Sequence, residues 1–514
     1  MKYTILTIIF LFFFQSFFPT TDNNSFVKDG DIISMNGSDN IQRTIDVSNT
    51  FRDFPNLAGY WNTSLQKATT PIIANIAENS YGKAKIVRCW LNLDEMWDYR
   101  TREFDYNFVI GVDKYKNITE KFRESWNWEV ETPIHFYDYL KSFSNHSEEV
   151  LLNIRRYERD IMDNNIPVSK EDYKNIIKEG LKHYKKMCPN IKYVQIGNEY
   201  NGGSFMKATE EEYYPFYKIG YEAVNEVNKE LELKGNKRIL VGMSPPAGNT
   251  LERLGRLFNL YKNDTSKTKR LDFISWHEYG IPIPSTANRE KEIKFLIKEN
   301  DLPNKLPLFI TEHDPFHGSY QDKQFEHHML NASYLPKSLY FTSLNSPQVK
   351  VFPWVLYHNE VIQTKFMWFK GPNETLTKEN EIQMLPLGCS MKFLSMMKGE
   401  EIKIDNSIEG NDLVIATSKK GQIEVEVINY IDKRDVVLNL HQLNKVFTNK
   451  KGKKVHLVKY LIDDIHSNCI TNKNYQGGIE KIEDTWVEIN QGMISLKHNE
   501  LKKNGIVFWE IKDF

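Results

Sequence analysis

Two glutamates stand where an apolar run stops. One is Glu199 in YVQIGNEYNGG, from Tyr193 to Gly203; the other is Glu312 in PLFITEH, residues 307 to 313. A carboxylate at the end of a buried segment is costly unless it is paired or used, so both positions call for a chemical purpose. Two carboxylates held about 5 to 5.5 Å apart can hydrolyse a glycoside with retention: one protonates the leaving oxygen while the other attacks the anomeric carbon. The pair lies 113 residues apart (312 minus 199), so only a fold can bring it together. Groups at the ends of similar runs suit the same chemistry. Arg88 and Tyr279 can donate to one carboxylate and keep it ionised, while the other must hold a proton near neutral pH through desolvation or its partner's charge. Asn198 can donate to a ring hydroxyl beside the reacting carbon, His277 shares the run of Tyr279, and Trp354 offers an apolar face for a sugar ring.

The elements that must position these residues are legible as an alternation. From about residue 45 to 360 eight β-rich runs occur: TIDVSN, AKIVRCWL (84 to 91), EVLLNIRR (149 to 156), YVQIG (193 to 197), RILVGMS (238 to 244), LDFISWHEY (271 to 279), PLFITEH (307 to 313) and VKVFPWVLY (349 to 357). Helical patterns lie between them, as in KEDYKNIIKEGLKHYKKM, where Tyr173, Ile176, Ile177 and Leu181 repeat at helical spacing. Nearly continuous apolar strands alternating with helices predict a parallel sheet covered on both faces, and eight such units predict a (β/α)₈ barrel. An open doubly wound sheet is the competitor, but no Gly-rich phosphate loop follows the first run. In a barrel, reactive groups collect at the carboxyl ends of the strands. Those ends hold Arg88, Asn198, Glu199, His277, Tyr279, Glu312 and Trp354. Beyond Lys398 the texture changes to alternating runs such as GQIEVEVINYI and GIVFWEIK, which predict an all-β sandwich. The expected α/β architecture is therefore a barrel over residues 40–395 followed by a β-sandwich over 396–514.

Composition narrows the function classes. The 514 residues hold 67 Lys+Arg against 68 Asp+Glu, a net charge of -1, so no global field favours nucleic acid or an anionic membrane. The start, MKYTILTIIFLFFFQSFFPTTDNNS, carries Lys2 and then an apolar run from Ile5 to Phe18, shorter than the roughly 20 residues a spanning helix needs; it predicts a signal peptide over residues 1–22 and a secreted or lumenal protein. Asn-x-Ser/Thr sequons at Asn23, Asn36, Asn62, Asn117, Asn145, Asn263, Asn331 and Asn373 are acceptors if the cell glycosylates exported proteins. Four widely spaced cysteines without a C-x-x-C indicate neither a zinc ribbon nor a disulfide scaffold, and Cys89 is expected to be an inert core thiol. In EHDPFHG, Glu312, His313, Asp314 and His317 stand close in sequence, with His327 and His328 further on. Successive strand residues point to opposite faces, so these ligands scatter, and no metal and no cofactor is expected. The aromatic-rich segment from Asp98 to His146 is expected to build the substrate cleft.

The segments IGNEYN, DFISWHEYG, LFITEHD, VFPWVLY and the all-β tail beginning near FLSMMKGEEI resemble the clan of (β/α)₈ retaining glycosidases that carry Asn-Glu after strand four and Glu after strand seven. Within that clan the chain looks most like family 39 glycoside hydrolases, the β-xylosidases and α-L-iduronidases. The resemblance implies Glu199 as acid/base, Glu312 as nucleophile, and Asn198, His277, Tyr279 and Arg88 as supporting residues. It also implies an oligo- or polysaccharide substrate. The family usually shows Trp-Asn-Glu-Pro and Thr-Glu-(Trp or Phe)-Asn, whereas this chain has Gly197-Asn198-Glu199-Tyr200 and Thr311-Glu312-His313-Asp314. IGNE also resembles the heparanase and arabinofuranosidase branches. The implied activity is a β-xylosidase-like hydrolysis. The alternatives are a β-glucuronidase/heparanase-like or arabinofuranosidase-like enzyme, or an inactive carbohydrate-binding barrel.

Overall fold

The computed structural model describes residues 40–64, 71–110, 134–316, 328–357, 367–369, 382–447, 454–472, 474–475 and 477–513. The expected signal peptide, residues 111–133 of the expected cleft segment, and His317 and His327 lie outside the described residues. Eight parallel strands form the barrel: Tyr60–Asn62, Ala84–Asn92, Ser147–Arg155, Ile191–Ile196, Leu240–Met243, Ile274–Tyr279, Leu308–Asp314 and Val349–Pro353. They make arcs of five and three strands. A parallel bridge between Gly242 and Phe273 joins the arcs on one side, and on the other Leu356 N–H donates to the Asn62 carbonyl at 3.1 Å. A Cβ on residue 242 would sit 2.5 Å from the Phe273 ring, so only glycine allows this approach.

A helix follows each strand: Pro71–Tyr81, Phe136–Asn145, Lys170–Met187, Glu210–Glu230, Thr250–Asn263, Ile283–Glu299, His328–Asn345 and Pro386–Met396. The third and fourth start on capping boxes, Ser169 with Asp172 and Thr209 with Glu212, which satisfy backbone N–H groups that no helical carbonyl can reach. The second of these helices is drawn from the segment expected to line the cleft; it packs as part of the barrel's outer layer.

The barrel interior is layered with period two, as strand geometry requires. Tyr60, Ile86, Leu151, Tyr193, Leu240, Phe273, Phe309 and Phe352, one from each strand, pack into an apolar plug. Two residues further along each strand stand Asn62, Arg88, Asn153, Gln195, Gly242, Ser275, Thr311 and Trp354, a predominantly polar ring that forms the floor of the open end.

The first predicted barrel strand is corrected. TIDVSN belongs to Ile41–Asp46, which pairs in parallel with Arg434–His441 of the C-terminal domain, and Thr50–Asp53 pairs with Glu400–Ile402. Ile41 and Ile45 are buried while Gln42 is exposed, the one-faced pattern of a sandwich strand and not the two-faced burial of a barrel strand. Residues 40–53 therefore belong to the sandwich, and the barrel begins near Tyr60. The sandwich stacks a seven-stranded sheet on a three-stranded one. The outer face of the larger sheet lies on the barrel: Phe508 stacks on Phe393 at 4.7 Å, and Tyr430 meets Tyr334 edge-on at 4.8 Å. Glu426, on that same covered face, is fully buried, and among the described residues neither of its carboxyl oxygens has a hydrogen-bond partner. Among the described residues no helix is long and apolar enough to cross a membrane.

Candidate active site

Glu199 is presented by a break in the chain. The fourth strand stops at Ile196; Gly197 then adopts φ +83° and Glu199 φ +44°. A left-handed glutamate carries strain that the surroundings must hold in place. They do so from both sides: Gly197 N–H donates to the Ile154 carbonyl at 2.7 Å, and Asn153 Nδ2 donates to the Gly197 carbonyl at 2.8 Å.

Glu312 is presented by a bulge. Opposite strand six, Trp276 pairs with Ile310 but His277 pairs with Glu312; opposite strand eight, Ile310 pairs with Val351 and His313 with Pro353. Strand seven thus carries one extra residue, and a bulge re-aims side chains. In a regular strand Thr311 and Glu312 would face opposite ways. Here the Thr311 hydroxyl meets Gln195 Nε2 in the floor at 3.5 Å, and Glu312 also turns inward to Arg88. His313 faces outward instead, its Nδ1 against the Glu278 carbonyl at 3.1 Å and its Nε2 against Ser338 of the seventh helix at 2.8 Å. Glu312 and His313 therefore point to opposite faces.

Six of the seven residues singled out from sequence fall into one hydrogen-bonded network. Arg88, buried beneath the site, donates from Nη1 to Glu312 Oε1 and from Nη2 to Asn198 Oδ1, each at 2.6 Å. Arginine only donates, so the contacting atom of Asn198 is its oxygen, and its Nδ2 donor is turned elsewhere. Tyr279 donates to Glu312 Oε2 at 2.5 Å. His277 lies between the carboxylates, Nδ1 at 2.9 Å from Glu199 Oε1 and Nε2 at 3.4 Å from Glu312 Oε1. One atom each of Glu199, His277 and Glu312 lies within 4.8 Å of the other two. That separation is shorter than the roughly 6.5–9.5 Å an inverting enzyme needs for its water, and it suits direct attack by one carboxylate. The same three atoms are also the set through which a divalent ion could be held at this site. The seventh residue, Trp354, stands beside the network, its ring edge-on to Trp90 at 6.4 Å.

Electrostatics separates the glutamates. Burial pushes the Glu312 carboxyl up, but the charges of His277 and Arg88 and the hydrogen bonds from Tyr279 and Arg88 outweigh it, so its pKa lies below the ordinary carboxylate value. Burial and then the charges of Glu312 and Glu199 hold Tyr279 well above its usual pKa, so it remains a donor. The Glu199 side chain is 22 % exposed, against 6 % for Glu312. Glu312 is thus held as an anion, while Glu199 opens toward solvent with the His277 ring against its Oε1.

Several residues here escaped the sequence reading. Gln195 supports Arg88, accepting from its Nε at 3.3 Å and its Nη2 at 3.2 Å, and is itself held by Asn153 and Ser275. The signal was available: each lies two residues past an apolar inward residue of its run. Asp314 is 4 % exposed, and burial raises its pKa to about 8. Two sequon asparagines, Asn62 and Asn331, are buried and can carry no glycan, whereas Asn145 and Asn263 are exposed. Cys89 is a buried thiol whose pKa burial raises to about 12.

The family model described as glycosyl hydrolases family 39 matches residues 155–477. A family 39 enzyme from Xanthomonas axonopodis pv. citri superposes with TM-score 0.62 at 12% identity, covering 92% of this chain and 98% of that one. A family 39 β-xylosidase from Caulobacter crescentus gives TM-score 0.59 at 12% identity, covering 92% and 100%. A glucosidase from Croceicoccus marinus gives 0.58 at 12% identity, covering 92% and 99%. No curated protein matches the chain. At these identities the structures share the fold, a barrel with a β-sandwich, and the family match covers well over half of the residues: the chain belongs to glycosyl hydrolases family 39 and is a glycoside hydrolase.

Proposed function

We propose that the protein hydrolyses O-glycosidic bonds with retention, acting on β-xylosides or closely related glycosides, with Glu312 as nucleophile and Glu199 as acid/base. The observation that carries this reading is the asymmetry of the pair: each Glu312 oxygen takes a donor, Arg88 on one and Tyr279 on the other, whereas Glu199 meets, among the described residues, His277 alone and is more open. In the first step Glu312 attacks the anomeric carbon while Glu199 gives its proton to the leaving oxygen. In the second, Glu199 takes a proton from water, and that water displaces the glycosyl group from Glu312. Asn198, with its oxygen held by Arg88, has Nδ2 available for a ring hydroxyl, and Trp354 supplies an apolar face. The β-xylosidase of Caulobacter crescentus, similar in fold, supports the choice of sugar. The N-terminal apolar run supports export, which N-terminal sequencing of protein recovered from the culture medium tests.

The experiment runs wild type, Glu312→Ala and Glu199→Ala on a panel of activated aryl glycosides: xyloside, glucoside, galactoside, arabinofuranoside and glucuronide. Both variants lose most turnover, and azide partly restores Glu199→Ala by attacking the glycosyl intermediate without a general base. Rescue of Glu312→Ala alone reverses the roles, and wild-type rates in either variant end the assignment. Proton NMR of the first-formed product decides retention.

A further inference from the structure

The described residues include a second cation at the open end of the barrel that the double displacement does not use. Arg155 is the last residue of the third strand, two beyond Asn153 of the polar floor, and so belongs to the same inward-facing row. Its guanidinium lies over the Trp90 ring at 4.2 Å, the same ring that Arg88 approaches at 4.2 Å, and over Phe205 at 5.4 Å. Nε donates to Asn92 Oδ1 at 2.8 Å. Among the described residues Nη1 and Nη2 have no hydrogen-bond partner, and no carboxylate forms an ion pair with Arg155. By contrast Arg88 is paired with Glu312, and Arg159 with Asp163.

A buried cation whose fork enters no ion pair is costly to keep, even with the charges of Glu95 and Asp94 acting on it from farther off. Burial and then the charge of Arg156 bring the Arg155 pKa down to about 9, against the opposing pull of Glu95 and Asp94, so the group stays charged at neutral pH. Stacking on Trp90 and the bond to Asn92 fix the plane of the guanidinium. What remains is a pre-oriented two-pronged donor, one aromatic ring away from the arginine that holds Glu312. Such a fork matches the two oxygens of a carboxylate or of a sulfate ester.

We propose that Arg155 is a specificity-determining residue that binds an anionic substituent, the carboxylate of a uronic acid or a sulfate ester, on the sugar chain in the cleft. The assignment rests on the reading of the site as a glycosidase, and it is independent of which sugar is cleaved. Asn92 and Trp90 are positioning residues: one holds Nε, and the other holds the plane.

The test measures binding of three probes at one fixed ionic strength: methyl β-D-glucoside, methyl β-D-glucuronide and glucose 6-sulfate. Wild type, Arg155→Met and Arg155→Lys are titrated calorimetrically. Wild type prefers at least one acidic probe over the neutral one by about tenfold to a hundredfold, the worth of a charge-assisted bidentate contact. The ratio falls to about one in Arg155→Met, and Arg155→Lys, which keeps the charge but not the fork, lies between. Which acidic probe is preferred separates carboxylate from sulfate. Equal affinities in wild type, or a preference that survives in Arg155→Met, overturns the proposal; should Arg155→Met not fold, an undiminished ratio in Arg155→Lys overturns it. Turnover of Glu312→Gln keeps the two readings apart. An inactive Glu312→Gln with equal probe affinities sinks the anion site alone, whereas an active one sinks the glycosidase assignment of the glutamates.

Discussion

Tyr279→Phe tests the electrostatic core of the site. Glu312 is held as an anion by Arg88 at 2.6 Å, by the Tyr279 hydroxyl at 2.5 Å and by His277 at 3.4 Å. The substitution keeps the ring and removes only the hydroxyl. A hydrogen bond to a charged group contributes about 1.5–3 kcal/mol net, and one pKa unit corresponds to about 1.4 kcal/mol, so the Glu312 pKa should rise by roughly 1–2 units. The sign follows from the role. A nucleophile must be ionised, so activity falls as pH drops through its pKa, and the wild-type acidic limb should lie below the ordinary carboxylate range because the net shift is downward. In the variant that limb moves up.

The assay is the pH dependence of kcat/KM on the best aryl glycoside from the panel, since that parameter reports the free enzyme. Thermal melting across the same range separates titration from unfolding. An acidic limb that stays in place while activity falls would mean that Tyr279 orients substrate and does not govern the charge of Glu312. A limb that moves down would contradict the geometry outright.

Perturbations at two further positions follow from the same structure. Arg88→Lys cannot reach Glu312 and Asn198 together as the guanidinium fork does; kcat/KM should fall at least a hundredfold, and Arg88→Ala, which leaves the buried Glu312 to Tyr279 and His277 without its arginine, should cost up to about 3–5 kcal/mol of stability in denaturant titration. Glu426, buried between the domains with a pKa raised to about 8, binds a proton in the native state that it releases near 4.5 when unfolded, so stability should decline as pH rises from about 4.5 to 8, by up to about 5 kcal/mol. Glu426→Gln should flatten that decline; a variant that loses stability in parallel with wild type over this range would show that the carboxyl finds a partner there.

What the sequence disclosed and what it withheld have the same physical origin. Seven barrel strands were legible because a strand buried on both faces must be apolar almost throughout, and runs such as AKIVRCWL or LDFISWHEY have no other reading at their length. The first strand was not, because Tyr60–Asn62 is three residues long and leaves no run to see, while Ile41–Asp46 next to it has the composition of a strand and a partner almost 400 residues away. Glu199 and Glu312 were visible as carboxylates at strand ends. That Glu312 faces inward was not derivable from alternation: with Thr311 in the floor, strict period two would send Glu312 out of the barrel and bring His313 in. The bulge reverses that order, and a bulge is a property of the pairing between strands six, seven and eight, not of the run itself. The floor was hidden for a subtler reason. Asn153, Gln195, Ser275 and Thr311 are uncharged and sit inside apolar runs, where each alone reads as a tolerated exception; only the alignment of all runs on their inward residues, Leu151, Tyr193, Phe273 and Phe309, shows that the exceptions fall in one layer. Arg155 belongs to the layer above that floor, and the same alignment places it at the open end, so the periodicity that buries the apolar plug also determines which charge stands over the polar floor.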